Sequence, residues 1–149
     1  MRIYLDVCCL NRPFDDQTQD MVHLEAEAIL AILQNCEDED WQLVNSEIIK
    51  FEISKTPNII RKQKVTKIME LAKEYIILDE KIIMRAKSIE QQGIKAIDSL
   101  HLASAEKVNV DVFLSTDKEL IKKIQKRKIM KIKVDNPVKW LVEVLDNVK

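Results

Sequence analysis

Glycine and histidine are scarce in this chain of 149 residues, which has one Gly and two His. Phosphate-cradling loops of the Walker and Rossmann types need several glycines, so the composition excludes those nucleotide-binding motifs. Long flexible linkers are also absent, since only three prolines accompany the single glycine. The longest apolar runs are short, as at residues 28–33, and none could span a membrane.

The chain has three cysteines, two of them adjacent at Cys8 and Cys9. An odd number without a CxxC pair argues against a disulfide framework and against a structural zinc site. We expect Cys8 and Cys9 to be small packing residues, because no histidine lies near them in sequence. An aspartate as early as Asp6 argues against a signal-peptide core. Together these features favour a cytoplasmic protein.

Positive and negative charges almost cancel, with 24 Lys and Arg against 25 Asp and Glu. This balance neither requires nor excludes a nucleic-acid partner. Lysines and arginines are nevertheless concentrated at residues 61–67 and 122–133. Either stretch could contact phosphates, or could be a solvated helix face.

Short apolar runs alternate with segments of helical periodicity along the whole chain. We predict strands at residues 2–5, 41–45, 75–78, 112–114 and 130–134. The helix between the first two strands should place Ala26 and Ile29 inside, with Glu25 and Glu27 outside. Ser46, Asp79 and Pro137 are expected to begin later helices. The alternation predicts an α/β fold with a parallel sheet covered on both faces, formed by one domain over residues 1–149.

Several acidic residues follow predicted strands, where sites form in parallel sheets. They are Asp6, Glu47, Glu52 and Asp117, whereas Asp98 lies within a predicted helix. Each has a structural alternative. Asp6 could accept hydrogen bonds from its own turn, Asp98 and Asp117 could cap helices, and Glu52 could be an exposed helix residue.

These alternatives weaken if the carboxylates converge at one end of the sheet. Four clustered carboxylates repel each other unless a divalent cation compensates their charge. Oxygen ligands are those that Mg²⁺ and Mn²⁺ prefer, and such ions could activate a water for phosphodiester hydrolysis. His101 could border this site, since it follows Asp98 by three residues.

Four segments resemble, in order, the motifs of the PIN-domain family. Residues 3–13 resemble the first motif, in which a strand ends in Asp6. Residues 46–52 resemble the second, with a serine followed six residues later by the metal-site Glu52; a one-turn misalignment would select Glu47. Residues 95–105 resemble the third, in which Asp98 opens an Ala-rich helix. Residues 113–120 resemble the fourth, which contains Ser115, Thr116, Asp117 and the often acidic position Glu119.

This resemblance implies a three-layer α/β/α sandwich with a five-stranded parallel sheet of order 3-2-1-4-5. It also implies an Mg²⁺- or Mn²⁺-dependent ribonuclease whose catalytic and metal-binding residues are Asp6, Glu52, Asp98 and Asp117. Ser115 and Thr116 would support the carboxylates by hydrogen bonds. Many small members resemble VapC toxins, which imply an RNA substrate, an antitoxin partner and a homodimer.

Two other functions remain open from the residues. A catalytically silent module could keep the fold and bind RNA or a protein partner. A phosphoryl-transfer domain of receiver or haloacid-dehalogenase type would also gather acids beyond parallel strands. The latter requires Asp-x-Asp after the first strand, where this chain has Cys8 at the second acidic position.

Overall fold

A five-stranded parallel sheet forms the centre of the computed structural model, which describes residues 1–147. The strands are β1 (Arg2–Leu5), β2 (Gln42–Ser46), β3 (Glu74–Ile76), β4 (Val112–Leu114) and β5 (Val134–Asp135). Their order is β3-β2-β1-β4-β5, and every pair is parallel. The predicted fold class and strand order are therefore confirmed.

Helices cover both faces of this sheet. They are α1 (Val7–Asn11), α2 (Asp20–Glu37), α3 (Glu47–Ser54), α4 (Ile59–Ile68), α5 (Glu80–Gln91), α6 (Ala96–Lys107), α7 (Lys118–Arg127) and α8 (Pro137–Asn147). Short 3₁₀ turns follow α1 at Arg12–Phe14 and α4 at Met69–Leu71. Within residues 1–147, no helix has the length and apolarity needed to cross a membrane.

The central strand β1 explains why the chain adopts this arrangement. Ile3 pairs with Leu43 on one side and Val112 on the other. Ile3, Tyr4 and Leu5 are fully buried, as expected for a strand covered on both faces. Tyr4 also stacks on Phe113 of β4, with ring centroids 5.2 Å apart. Burying this strand places its carboxyl end, and hence Asp6, in the middle of the sheet edge.

Three strands are shorter or displaced relative to their predicted ranges, and the one predicted at 41–45 occupies Gln42–Ser46. The strand predicted at 75–78 occupies Glu74–Ile76, and the one predicted at 130–134 occupies only Val134–Asp135. Ile129 and Ile132 are buried without joining the sheet. An apolar pattern indicates which side chains are buried, but strand membership depends on backbone hydrogen bonds. The apolar pattern therefore predicted a fifth strand that is longer than the observed one.

The expected outward orientation of Glu25 is wrong. Its side chain is fully buried, and its Oε1 accepts a hydrogen bond from Arg12 Nε at 2.9 Å. Asn136 Nδ2 donates to Oε2 at 2.7 Å. These partners come from distant segments, so the helical pattern of α2 alone could not reveal them. The contacts tie α2 to the turn after α1 and to the start of α8.

The helices at the carboxyl edge begin at side-chain caps. Ser46 Oγ accepts from Ile49 N at 3.1 Å, and Asp79 Oδ1 accepts from Ile82 N at 2.8 Å. Pro137 is the first residue of α8. The predicted helix starts are thus confirmed, and each cap satisfies a backbone donor that the helix leaves free.

Candidate metal centre at the carboxyl edge of the sheet

Asp6 directly follows β1 and caps α1. Its Oδ1 accepts from the backbone N–H of Val7 at 2.8 Å, and its Oδ2 accepts from Ser115 Oγ at 2.9 Å. Burial raises the pKa of Asp6 well above its ordinary value, and the charges of Cys8 and Asp98 raise it further. An ionised carboxylate is therefore costly here unless a cation lies against it.

Ser115 connects the ends of β1 and β4. The serine is fully buried, and its hydroxyl, which donates to Asp6, also accepts from the backbone N–H of Asp117 at 3.1 Å. Asp117 caps α7 by accepting from Leu120 N at 3.1 Å. The capping alternative for Asp117 is thus correct, but the cap also holds its carboxyl group at the same sheet edge as Asp6.

Glu52 and Glu47 face different surroundings although both lie in α3. Glu52 Oε1 lies 2.6 Å from His101 Nε2, and the glutamate side chain is 38% exposed. Glu47 Oε2 instead accepts from the backbone N–H of Leu78, beyond β3, at 3.3 Å. Glu52 is therefore a partly exposed helix residue that nevertheless contacts His101, and Glu52, rather than Glu47, acts electrostatically on Asp98.

A continuous hydrogen-bond chain supports Glu52 from behind. Tyr4 Oη lies 2.7 Å from Ser46 Oγ and 2.6 Å from His101 Nδ1. Because Ser46 Oγ already accepts from Ile49 N, its proton is available for Tyr4. Tyr4 then donates to Nδ1, and His101 donates from Nε2 to Glu52. In this assignment Ser46, Tyr4 and His101 each donate once and accept once, and the Glu52 carboxylate accepts.

Asp98 lies in the first turn of α6, one turn before His101. The N-cap of this helix is Lys95, so the capping alternative for Asp98 is wrong. Burial raises the pKa of Asp98; the charge of His101 lowers it, whereas the charges of Asp117 and Glu52 raise it. Together with the effect of Asp98 on Asp6, these effects mean that Asp98 is near enough to each of the other three predicted carboxylates to repel it.

The donor atoms fit a divalent cation. One atom each of Asp6, Glu52 and His101 lie within 4.8 Å of one another, and because both His101 nitrogens are engaged, the two carboxylates are the ligands that this group offers. Ligands on opposite sides of one Mg²⁺ ion are about 4.2 Å apart, so small side-chain shifts would close the site. Among the described residues, no lysine or arginine forms an ion pair with any of the four carboxylates. The charges of His101 and Lys95 lower the pKa of Asp98, but no paired lysine or arginine within residues 1–147 neutralises the cluster.

Of the remaining residues, some lie beside Asp6 and Glu119 lies away from the carboxylates. Thr116 is buried, and its backbone N–H donates to Cys8 Sγ at 3.4 Å. Cys8 is half-buried, with Sγ 3.4 Å from Asp6 Oδ2, whereas Cys9 is buried as expected. Glu119 is exposed on α7 beside a group of lysines and does not join the cluster. The ligand and catalytic roles of all these residues stay predictions.

From the sequence, His101 was predicted only to border the site, and Tyr4 was not identified as a site residue. The spacing of His101 from Asp98 was the available signal, because three residues along a helix place two side chains on one face. Nothing in the sequence marks Tyr4, whose position in an apolar strand is typical of a core residue. Its partner His101 is 97 residues away.

Comparison with known protein families agrees with this geometry. The family model described as PIN domain matches residues 3–126. The chain belongs to the PIN-domain family. PIN domains are generally nucleases, and an acidic cluster at the edge of the sheet is present in this one.

Solved structures show the same fold at low sequence identity. The chain is similar to one in the structure of FitAB bound to an IR36 DNA fragment, with 18% identity, a TM-score of 0.59, and coverage of 91% of this chain and 95% of that chain. It is also similar to a chain of VapBC-1 from nontypeable Haemophilus influenzae, with 17% identity, a TM-score of 0.58, and coverage of 92% and 98%.

A third similar structure is VapBC2 from Rickettsia felis bound to a DNA fragment from their promoter. The identity is 15% and the TM-score 0.55, with coverage of 91% of this chain and 98% of that chain. A comparison with curated proteins finds no significant match.

Proposed function

We propose that this PIN-domain protein is an endoribonuclease that hydrolyses RNA phosphodiester bonds with the help of Mg²⁺ or Mn²⁺. The convergence of Asp6, Glu52, Asp98 and Asp117 at one sheet edge carries the proposal. Burial raises the pKa of Asp6 and of Asp98, and no lysine or arginine among the described residues forms an ion pair with the cluster. Such a group of carboxylates favours the binding of a divalent cation and does not stabilise the fold when no cation is bound.

We assign each residue a proposed role that is consistent with its contacts. Asp6, Glu52 and Asp98 would bind the cation, and Asp117 would complete the cluster or order a second ion. A bound divalent cation would supply the polarisation of a water and the neutralisation of phosphate charge. Ser115 orients Asp6 by donating to Oδ2, as His101 orients Glu52 by donating to Oε1. Such supporting hydrogen bonds hold ligands in one orientation.

The similar structures also support a proposal about partners. Their titles name FitAB and VapBC, two of them bound to DNA. We accordingly propose that the chain is the toxin of a toxin–antitoxin pair, acts in the cytoplasm, and forms homodimers. Co-purification with the protein encoded beside it would test the pairing.

Cleavage of RNA tests the proposed activity. Purified protein is incubated with an end-labelled structured RNA and with a DNA of the same sequence, in Mn²⁺, Mg²⁺ or EDTA. We expect cation-dependent cutting of RNA that is lost in Asp98→Asn. The matched control is Asp40→Asn, which makes the same chemical change at an exposed residue in the α2–β2 connection and should leave cutting intact.

Two results would contradict the proposal. Cutting that survives EDTA and Asp98→Asn alike would come from a contaminant or from another mechanism. No cutting of any RNA, alongside measurable Mn²⁺ binding, would favour a catalytically silent module that binds RNA or a protein partner.

A further inference from the structure

A groove with a volume of about 730 Å³ lies between α7, the start of α8 and the first turn of α2. Four lysines line it: Lys118, Lys122 and Lys126 from α7, and Lys139 from α8. All four are exposed. Met21, Ile121 and Val138 contribute apolar surface to the same groove. It therefore combines cationic walls with apolar contact surface.

The three lysines of α7 form a regular row. Residues at positions i, i+4 and i+8 lie on one face of a helix, and eight residues span about 12 Å. A stacked nucleic-acid strand advances about 3.4 Å along its axis per phosphate, so the row is about as long as a segment with three or four phosphates. The row begins at Lys118, directly after Asp117 of the acidic centre. A strand bound along it would therefore lead to the candidate metal site.

Two other cationic side chains of α7 form hydrogen bonds within the fold. Lys123 Nζ donates to the carbonyl of Gly93 at 2.9 Å, and Arg127 donates to the carbonyl of Gln92 at 2.5 Å. These two residues satisfy carbonyl groups at the end of α5. They explain part of the basic composition of α7 without invoking any ligand.

Lys118, Lys122 and Lys126 form no comparable contacts among the described residues. Within the part of the chain that the structure describes, none of them forms a hydrogen bond or an ion pair. Asp135, the acidic residue in the groove lining, is buried and accepts from the backbone N–H of Asn136 at 2.8 Å. Three like charges on one helix face repel each other, so this row does not serve the stability of the fold.

We propose that this groove binds the phosphate backbone of a single RNA strand beside the bond to be cleaved. The inference rests on the proposed function and adds the path of the substrate. A phosphodiester at the carboxylates meets repulsion, and lysines that bind the adjacent phosphates offset that cost. The groove lies between α7, α8 and α2, and its apolar side chains offer contact to the bases of the strand.

Binding can be separated from cleavage. Anisotropy of a labelled 20-nucleotide single-stranded RNA is measured in an Asp98→Asn background, at 50 to 200 mM salt. The groove variant carries Lys118→Gln, Lys122→Gln and Lys126→Gln. Its matched control carries Lys73→Gln, Lys81→Gln and Lys87→Gln, which change the net charge equally at exposed positions before β3 and on α5.

We expect the groove variant to weaken RNA binding by roughly tenfold or more, and the control to weaken it by less than about twofold. The slope of log K against log salt should fall by about 2, since each phosphate contact of a single strand contributes about 0.7. The same three changes made on wild-type Asp98 should raise KM for RNA and leave kcat at saturation unchanged.

Equal losses in the groove variant and the control would overturn the proposal. Displacement of the RNA by polyglutamate as effectively as by unlabelled RNA would also overturn it, since the groove would then be a general polyanion surface. These binding measurements do not depend on cleavage. A protein that cleaves no RNA would refute the proposed nuclease activity, and the salt dependence of RNA binding would still test whether the groove binds RNA.

Discussion

His101 Nε2 lies 2.6 Å from Glu52 Oε1, although the two residues are 49 positions apart in sequence. The other ring nitrogen lies 2.6 Å from the Tyr4 hydroxyl. The imidazole thus connects a buried tyrosine of the central strand to a carboxylate of the candidate metal centre. This contact makes His101 a positioning residue for Glu52, and it determines which nitrogen carries the proton.

Tyr4→Phe removes one hydroxyl and keeps the ring that stacks on Phe113. Without this donor, Nδ1 is buried and unpaired, so the orientation of the imidazole that donates to Glu52 is less fixed. We expect the Mn²⁺ concentration for half-maximal RNA cleavage to rise by roughly tenfold, as for other residues that orient ligands. Tyr75→Phe is the matched control because Tyr75 is exposed. Equal values for the two variants would refute the positioning role.

Asp98→Asn should stabilise the cation-free protein. Burial raises the pKa of Asp98, so its contribution to stability is fully present below the unfolded pKa of about 3.9 and is lost as pH rises through the higher folded pKa. At pH 7 in EDTA we therefore expect a higher Tm for the variant than for wild type. Mn²⁺ should raise the Tm of wild type but not of the variant. A variant that is less stable in EDTA and still responds to Mn²⁺ would contradict this account.

Alkylation of Cys8 should block the site. Hydrogen bonds from Cys9, Ser115 and Thr116 lower the pKa of the Cys8 thiol to about 6 against the effect of burial, whereas burial raises that of Cys36 to about 11. Iodoacetamide at pH 7 should modify Cys8 first and abolish cleavage, with a rate that rises through pH 6 as the thiolate forms.

Mass spectrometry locates the adduct, and two variants test the assignment. Cys8→Ser should remain active and resist the reagent, because a hydroxyl can still donate to Asp6. Cys36→Ser should remain sensitive. Inactivation of the Cys8→Ser variant at the wild-type rate would place the reactive group elsewhere.

The buried pair of Arg12 and Glu25 should contribute far more to stability than an exposed pair. Arg12→Ala leaves a fully buried Glu25 with only Asn136 as a donor, so we expect a loss of about 3 kcal/mol in the free energy of unfolding. Lys73→Ala breaks the exposed contact with Glu39 and should cost less than about 1 kcal/mol. Urea denaturation measures both, and similar losses would contradict the structural role of Glu25.

The fold could be predicted from the sequence because its main signals are local. The apolar run at residues 2–5 and the alternation of strands and helices are sufficient for a parallel sheet with covered faces. Asp6 and Asp117 could be identified from their positions after strands. The choice of Glu52 over Glu47 came from the family resemblance, and the contacts of the two side chains agree with it.

The features that were missed depend on residues far apart in the chain. Glu25 is buried because Asn136, 111 positions away, donates to it. Tyr4 belongs to the site because His101 packs over the same strand, with ring centroids 5.8 Å apart. Periodicity describes which face of one element is apolar. It contains no information about which polar partner another element brings to that face.

The central claim is that the four carboxylates form one cation-dependent centre for RNA hydrolysis. The most direct test is the dependence of the cleavage rate of one labelled RNA on Mn²⁺ concentration, for wild type and Glu52→Gln, starting from EDTA-treated protein. The account predicts no cutting without cation, saturation as Mn²⁺ is added to wild type, and a higher Mn²⁺ requirement or no activity in Glu52→Gln. A rate that is independent of Mn²⁺, or identical curves for the two proteins, would contradict it.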